Sequence, residues 1–340
     1  MTVTDRSHHD PDPVRFGLIG CGRIATSHLT AVAESPRAAI AGIAEIREEA
    51  GWAAAEHHRC RHFTDFSEPD FLDSIDAAIV STPPSTHFSI ASQLMERQIP
   101  TLIEKPLTVS VAEARELIRL SQEHSTLLMM ASKFRYVPDI IEARSMLEAK
   151  MVGKIVLFEN AFCTAVPMWD RWNSQPEVSG GGVLIDNGTH SVDIARYLLG
   201  PITSVQAQLL NTTAAFDVED TARLQFRNLD GVLGLIDLSW TIDKESSIFV
   251  SIYGTEGTLQ IGWSGSKLCL RGQKEWKHFG EGYDKKVAFA GQLSNFIAAL
   301  HGEEDCLSSL QSAMASVEVV DSAYISGRNG NGWQTVESHE

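Results

Sequence analysis

Short apolar runs alternate with amphipathic segments along residues 14–133. Residues 14–19, 38–44, 75–80, 101–103 and 127–130 are short and nearly continuous in apolar side chains. Between them, residues 111–120 place Ala114, Leu117, Ile118 and Leu120 on one helical face. Apolar strands that alternate with helices predict a parallel, doubly wound α/β sheet of the Rossmann type.

The pattern changes after about residue 135. A helix at 138–149 leads into a long strand at 154–162, a polar, Trp-rich loop at 168–177 and a helix at 183–199. Long strand signals then fill 202–270, with a hairpin turn at 228–231, and a helix at 308–326 follows. We therefore predict an N-terminal leader (1–13), a Rossmann domain (14–134) and an α+β domain (135–330) with a large, mostly antiparallel open sheet for substrate binding and oligomerisation.

Composition narrows the class of partner. The 340 residues are 43% hydrophobic and 21% charged, and the net charge of −16 argues against a nucleic-acid partner. Five scattered cysteines without a C-x-x-C motif argue against a disulfide framework or a zinc site and favour a reducing cytoplasm. Residues 1–13 are polar, and no apolar run approaches the ~20 residues that cross a bilayer. In the histidine pairs at 8–9 and 57–58, the two side chains of each pair point in different directions on a helix or strand, so we predict no metal site.

A glycine motif follows the first predicted strand. Gly20 permits a tight turn, Gly22 lets the backbone approach a pyrophosphate, and Ala25 allows close packing of helix on strand. The loop residues Arg23 and Ile24 belong to the same predicted site. Because this motif ends a strand and opens a helix, it predicts a dinucleotide-binding turn.

Two further strand ends carry candidate chemistry. Glu45 follows the second strand, roughly 20 residues beyond the glycines, where a carboxylate binds ribose hydroxyls and repels a 2′-phosphate. NAD(H) is therefore favoured over NADP(H), although the nearby Arg47 leaves the choice open. Lys105 follows the strand at 101–103, and ligands bind at the carboxyl ends of such strands, so this lysine should face the cofactor.

The chain resembles the Gfo/Idh/MocA oxidoreductases, the family of glucose-fructose oxidoreductase and inositol dehydrogenase. The resemblance covers nearly the whole chain and rests on five blocks, at residues 20–25, 81–87, 104–106, 181–190 and 253–259. It implies a nicotinamide-dependent dehydrogenase for a sugar, cyclitol or sugar derivative. It also implies a homodimer or homotetramer formed through the sheet of the second domain.

The resemblance also implies roles for individual residues. Lys105, joined to Pro106 by a cis peptide, would be the active-site lysine, and Asp186 and His190 would be the other catalytic residues. The cofactor site would further include residues that follow two of the strands: Thr82, Pro83, His87 and Glu104.

The chemistry of these groups fits oxidation of a secondary alcohol. Asp186 and His190 are four positions apart, so on a helix they share one face. A neutral His190 can accept the hydroxyl proton, and Lys105 can stabilise negative charge on the oxygen. The sequence leaves open whether the lysine or the histidine is the formal base.

Other residues are candidates for substrate contact. Trp169 and Trp172 lie in the loop before the catalytic helix, where indole rings suit either a sugar face or an oligomer interface. Arg135 matches a commonly basic position of the family, and Asn187 stands where relatives more often have an apolar residue, so both are assigned to the substrate side.

Two other functions remain compatible with the sequence. One is a glycosidase that uses tightly held NAD for transient oxidation, and the other is a non-catalytic ligand sensor on the same fold. Stoichiometric NADH release separates the dehydrogenase from the glycosidase, and the joint presence of Lys105, Asp186 and His190 argues against a sensor.

Overall fold

A computed structural model describes residues 12–168, 171–213 and 217–337. Within them, the first sheet has six parallel strands in the order β3-β2-β1-β4-β5-β6. These strands are β1 (Val14–Ile19), β2 (Ala38–Ala44), β3 (Arg61–Phe63), β4 (Ala77–Val80), β5 (Thr101–Glu104) and β6 (Leu128–Ala131). The predicted doubly wound sheet is confirmed. Most of the leader, residues 1–11, lies outside the described residues.

Helices connect these strands in the alternating order that the sequence predicts. They are α1 (Ala25–Glu34), α2 (Glu48–His58), α3 (Pro69–Leu72), α4 (His87–Glu96) and α5 (Val111–Glu123). In α5, Ser110 caps the N-terminus by accepting a hydrogen bond from the Glu113 amide, and Ala114, Leu117 and Leu120 are buried on one face.

The strand order reverses at β1, which pairs with β2 on one side and with β4 on the other. Ile19, the last residue of β1, is in register with Ala44 of β2 and with Val80 of β4. The carboxyl ends of three strands therefore meet at one edge. In an open α/β sheet this reversal opens the crevice in which ligands bind.

The second sheet has nine strands within the described residues, in the order β14-β13-β12-β11-β7-β10-β9-β8-β15. These are β7 (Ile155–Cys163), β8 (Ile202–Leu210), β9 (Thr221–Asn228), β10 (Leu233–Ser239), β11 (Ile248–Gly254), β12 (Gly257–Gly262), β13 (Ser266–Leu270), β14 (Lys277–Phe279) and β15 (Gln334–Thr335). β7 and β10 run parallel, whereas the other pairs are antiparallel. The predicted hairpin at 228–231 joins β9 to β10, with Gly231 at a φ of 81°.

Five more helices accompany this sheet in the described residues. They are α6 (Pro138–Glu148), α7 (Pro176–Ser179), α8 (Thr189–Leu199), α9 (Lys285–Leu300) and α10 (Leu310–Arg328). One face of the sheet is covered, with Phe158 and Phe226 in the core. On the opposite face, Leu157 and its register partner Leu233 are 42% and 44% exposed.

The helix α9 was missed by the sequence analysis, and its position is unexpected. Although it follows the strands of the second sheet, it packs on α1 of the first. Phe296 lies 5.9 Å from Phe16 of β1, and Phe289 and Leu293 are buried in the same cluster. A segment assigned to the second domain thus completes the core of the first.

The helix α10 joins both halves. It packs on β8 and α8, as predicted for a helix that closes the second domain, and also on α5 of the first sheet. Leu310 and Met314 are buried with the residues of the first sheet.

The predicted helix at 183–199 is interrupted. Residues Leu184–Gly188 form a π-helical turn, and the regular helix α8 begins only at Thr189. Such turns are frequent at functional sites, because the extra residue re-aims the side chains beside it.

Within the described residues, no helix combines the length and apolar character that a membrane crossing requires.

Candidate active site

A cleft with a volume of about 1460 Å³ lies at the carboxyl ends of the first sheet. Its wall on one side comes from the ends of β1, β2, β4 and β5, and on the other from the π-turn, α8 and the second sheet. Of the predicted site residues, those that line it are Gly20, Gly22, Arg23, Ile24, Glu45, Thr82, Pro83, Glu104, Lys105, Trp172, Asp186, Asn187 and His190.

The glycine turn after β1 has two differently constrained glycines. Gly20 has a φ of 91°, and a Cβ atom there would lie 2.8 Å from Cγ2 of Thr82 and 3.1 Å from the Ser81 carbonyl. At Gly22 the nearest atom would be the Ser81 carbonyl oxygen at 3.8 Å, an ordinary contact. Gly20 is thus required by the fold itself, whereas Gly22 leaves bare backbone beside the cleft, where α1 begins at Ala25. This arrangement fits a dinucleotide pyrophosphate.

Glu45 extends from the end of β2 toward this turn. Its carboxylate accepts hydrogen bonds from the Cys21 amide at 2.6 Å and from Nε of Arg47 at 2.8 Å. Although burial opposes ionisation, the hydrogen bonds from Arg47 and from the Cys21 amide lower the pKa of Glu45 to about 2. The carboxylate is therefore ionised at neutral pH, and Arg47 partly neutralises it.

His87 holds the cleft wall from behind. It is fully buried and is not among the lining residues, and its place in the cofactor site stays a prediction. Its ring nitrogens lie 2.8 Å from the Pro106 carbonyl and 3.1 Å from the Thr82 carbonyl. His87 therefore links two segments that do line the cleft, after β4 and after β5.

Lys105 lines the cleft, and the predicted cis peptide to Pro106 is present. Its Nζ atom donates a hydrogen bond to the Asp186 backbone carbonyl at 2.9 Å and forms an ion pair with the Asp186 carboxylate. This ion pair spans the two halves of the molecule, because Lys105 follows the first sheet and Asp186 precedes α8.

The neighbouring Glu104 is buried and lies 2.8 Å from Nε2 of His28. Burial opposes its ionisation, but the hydrogen bond to His28 and the charges of His28, Lys105 and Lys133 hold the pKa of Glu104 below its usual value. The strand end thus carries a buried carboxylate directly behind the lysine.

Asp186 and His190 both line the cleft, as the spacing predicts, but they belong to different helical segments. Asp186 lies in the π-turn and His190 in the first turn of α8. The His190 ring packs edge-on against Phe134 at 5.2 Å and forms no hydrogen bond with any of the described residues. Burial, reinforced by the charges of Lys105 and Lys133, holds the pKa of His190 well below its usual value. The imidazole is therefore neutral at neutral pH.

A partly buried acid that the sequence analysis did not identify, Glu219, holds the π-turn in place. The Glu219 carboxylate accepts hydrogen bonds from the amides of Gly182 at 3.1 Å and Leu184 at 3.0 Å, and from the Tyr324 hydroxyl at 2.7 Å. A carboxylate at the start of a helical segment satisfies amides that have no partner within the helix. Glu219 thus fixes the orientation of the segment that carries Asp186.

Lys133 is a second lysine that the sequence analysis missed. It lines the cleft just beyond the carboxyl end of β6, as Lys105 does beyond β5. Burial lowers the pKa of Lys133 to about 8. Its position at a strand end was the same signal that identified Lys105, and it was available in the sequence.

The substrate candidates separate into three groups. Trp172 and Asn187 line the cleft, together with Arg171, Asn173 and Trp263. Trp169 lies outside the described residues. Arg135 does not line this cleft, and its predicted contact with the substrate stays a prediction.

Arg135 is instead a structural residue. It is 4% exposed, and its guanidinium binds the Asp193 carboxylate, with the closest contact at 2.6 Å. It also donates to the Leu307 carbonyl at 2.6 Å and to the Ser312 hydroxyl at 2.6 Å. Its charge is thus used to join the segment after β6 to α8 and α10.

The doubly wound sheet carries this glycine turn, and a lysine, an acid and a histidine line the same cleft. Together these features define an oxidoreductase with an NAD-binding Rossmann fold. Residues 14–132 match the family described as "Oxidoreductase family, NAD-binding Rossmann fold", and residues 140–260 match the "GFO/IDH/MocA C-terminal domain". The chain therefore belongs to the GFO/IDH/MocA oxidoreductase family, which confirms the resemblance in the sequence.

Individual relatives are similar over nearly the full chain. The rhizopine catabolism protein MocA of Rhizobium meliloti is 25% identical over 91% of this chain and 93% of its own length. An inositol 2-dehydrogenase of Rubrobacter xylanophilus is 24% identical over 94% of this chain and 93% of its own. Among solved structures, levoglucosan dehydrogenase in complex with NADH has a TM-score of 0.89 at 20% identity, covering 96% of this chain and 100% of that one. This last similarity concerns the fold.

Proposed function

We propose that the protein is an NAD(P)-dependent dehydrogenase that transfers a hydride between nicotinamide and a secondary alcohol or ketone of a sugar, cyclitol or sugar derivative. The observation that carries this proposal is the convergence of Lys105, Asp186 and His190 in the cleft that begins at the glycine turn.

The reaction requires two transfers from the alcohol. The carbon loses a hydride and the oxygen loses a proton, and a carbonyl forms. When bound, the nicotinamide supplies the hydride acceptor for oxidation or the donor for reduction. The protein must therefore hold the alcohol, accept the proton and stabilise the oxygen.

We assign the proton to His190 and the oxygen to Lys105. The lowered pKa of His190 keeps the imidazole neutral, so it has a lone pair available at neutral pH. Lys105 is held by the Asp186 carboxylate and its backbone carbonyl, and one of its three N–H bonds can point to the reacting oxygen. Asp186 would thereby position the lysine.

The cleft lining supports a polyhydroxylated substrate. Trp172 and Trp263 offer aromatic faces, and Asn173 and Asn187 offer amide groups that bind hydroxyls. Relatives named for inositol, apiose and xylose dehydrogenation support the same class.

For the cofactor, we propose a preference for NAD(H) over NADP(H). The ionised Glu45 lies beside the glycine turn and would repel a 2′-phosphate. Arg47 forms an ion pair with Glu45, so the preference should be moderate.

For assembly, we propose a homodimer or homotetramer through the open face of the second sheet. The adjacent Leu157 and Leu233 expose apolar surface there, and an exposed apolar sheet face favours association.

A substrate panel tests the proposed reaction. Sugars, inositols and their derivatives are incubated with NAD or NADP, and reduced cofactor is measured by absorbance and compared with the product formed. We expect stoichiometric reduced cofactor with at least one substrate. Product without net reduced cofactor would instead indicate the glycosidase, and binding without any reaction would indicate the sensor.

A further inference from the structure

We propose that the substrate is a polyhydroxy acid, whose carboxylate binds between Lys133 and Lys285 at the catalytic end of the cleft. This inference rests on the proposed dehydrogenase function and names the substrate class of the same site. Both lysines line the cleft that holds Lys105, Asp186 and His190.

Lys133 lies close to the catalytic residues and has a free ammonium group among the described residues. Its ammonium and the His190 ring both contact the ring of Phe134, so Lys133 lies near the reacting groups, and its charge acts on both His190 and Glu104. Its Nζ atom lies 5.4 Å from the ring centre of Phe134 and 5.7 Å from that of Tyr283. Within the described residues it forms no hydrogen bond and no close ion pair. A lysine that faces a cleft among aromatic rings without a hydrogen-bonded partner is available to an anion.

The charges that act on Lys133 do not cancel one another. Lys105 and Asp186 form an ion pair and neutralise each other. Of the other charges that act on Lys133, those of Lys285 and Glu104 then remain, and the Glu104 carboxylate is already in contact with His28 at 2.8 Å. Lys133, Lys285 and Glu104 together carry a surplus of one positive charge, in a protein with a net charge of −16.

A single carboxylate would make this group of charges neutral. A phosphate dianion would leave an excess of negative charge beside Glu104, and like charges in a partly buried site oppose each other. The charge count therefore favours a carboxylate over a phosphate.

Arg171 is another cation in the cleft lining. Burial lowers the pKa of Arg171, and the charges that act on it are those of Arg23 in the glycine turn and of Asp186. Arg171 is not among the charges that act on Lys133, so we leave it out of the count around that lysine.

The proposed binding has a defined pH dependence. Lys133 titrates at about 8 because burial opposes its charge, and the facing groups that act on it are Glu104, Lys105, Lys285 and Asp186. Its ammonium is present below that pH and is lost above it. We expect kcat/KM for an acid substrate to fall as the pH rises through about 8, relative to kcat/KM for its neutral counterpart.

The test compares matched acid and neutral substrates. The acids are D-gluconate and D-glucuronate, the neutral compounds are D-glucitol, D-glucose and myo-inositol, and glucose 6-phosphate represents a phosphate. We expect at least one acid to be favoured over its neutral counterpart. Lys133→Met should reduce that ratio by about 10–100-fold, the value of one charge-assisted hydrogen bond.

Lys286→Met is the matched control. Lys286 is next to Lys285 but lies 4.0 Å from Glu34, outside the cleft lining, so the ratio of acid to neutral turnover should not change. If Lys133→Met does not fold, Lys133→Gln keeps a polar side chain without the charge.

The possible outcomes separate this inference from the proposed function. Turnover of neutral sugars with no preference for acids would overturn the carboxylate site and leave the dehydrogenase assignment intact, and preference for the phosphate would also overturn it. Thermal stabilisation by D-gluconate over D-glucitol, in the presence of NADH, measures carboxylate binding without turnover. Equal stabilisation by both compounds, or stabilisation that survives Lys133→Met, would refute the inference.

Discussion

Substitution by alanine should change a different property of the protein at each of the two glycines in the turn after β1. Gly20→Ala adds a methyl group where φ is 91° and where Cγ2 of Thr82 lies 2.8 Å away. Gly22→Ala adds it where the nearest atom lies 3.8 Å away and the backbone borders the cleft. The first change should destabilise the fold, and the second should weaken cofactor binding.

The magnitudes follow from the local geometry. At Gly20, the positive φ costs an L-residue about 1–2 kcal/mol, and overpacking against Thr82 and the Ser81 carbonyl adds about 1–3 kcal/mol. We therefore expect a loss of roughly 2–5 kcal/mol in the free energy of unfolding. At Gly22 no such strain arises, so stability should change by less than about 1 kcal/mol. The methyl group would nevertheless separate the backbone from the pyrophosphate, and we expect the Kd for NAD(H) to rise by at least about 10-fold.

Urea unfolding of the protein without cofactor measures the first effect, and titration with NADH, followed by tryptophan fluorescence, measures the second. The two variants serve as controls for each other, because each should change a different observable. A Gly22→Ala variant with wild-type affinity for NADH would refute the placement of the pyrophosphate on this turn. Wild-type stability of Gly20→Ala would refute the strain argument.

Three further predictions concern the site and the assembly. Lys105→Ala and His190→Ala should each lower turnover by roughly 10²–10⁴-fold, and Asp186→Asn should also lower it, whereas the affinity for NADH should change much less. Steady-state kinetics measure this effect in variants whose folding has been checked by circular dichroism. Near-wild-type turnover in the folded variants would contradict the prediction. Glu45→Ala should shift the ratio of NADP to NAD affinity toward NADP and Arg47→Ala away from it, so tighter NADP(H) binding by the wild type would refute the assignment of Glu45. Leu157→Asp should dissociate the oligomer, whereas a wild-type monomer in light scattering at micromolar concentration would contradict the proposed interface.

The sequence predicted the first sheet well, because its signals are local. The strands β1 and β2 have the predicted bounds, and β5 ends at Glu104 directly before the lysine. Glycine at 20 and 22 and a lysine after a strand reflect backbone and sheet-edge requirements that a short segment displays. The same reasoning at the end of β6 would have found Lys133.

Other features depend on contacts between distant segments. The helix α9 has apolar residues around much of its circumference, and no local pattern shows that it covers α1. Arg135 looked like a site residue because it is basic and follows a strand, but Asp193, 58 positions away, holds it in the interior. The π-turn is similarly stabilised by Glu219, 37 positions from Gly182.

The return of α9 to the first sheet has a consequence for how the protein is made. As the chain is synthesised, residues 14–134 emerge long before Phe289, Leu293 and Phe296, which cover the apolar surface around α1. Until about residue 300 has been added, that surface has no covering helix and is open to water or to other chains. The nucleotide-binding half is therefore first in the sequence but cannot be finished first, and a fragment that ends near residue 134 would be left with an exposed apolar face where the full chain has a core.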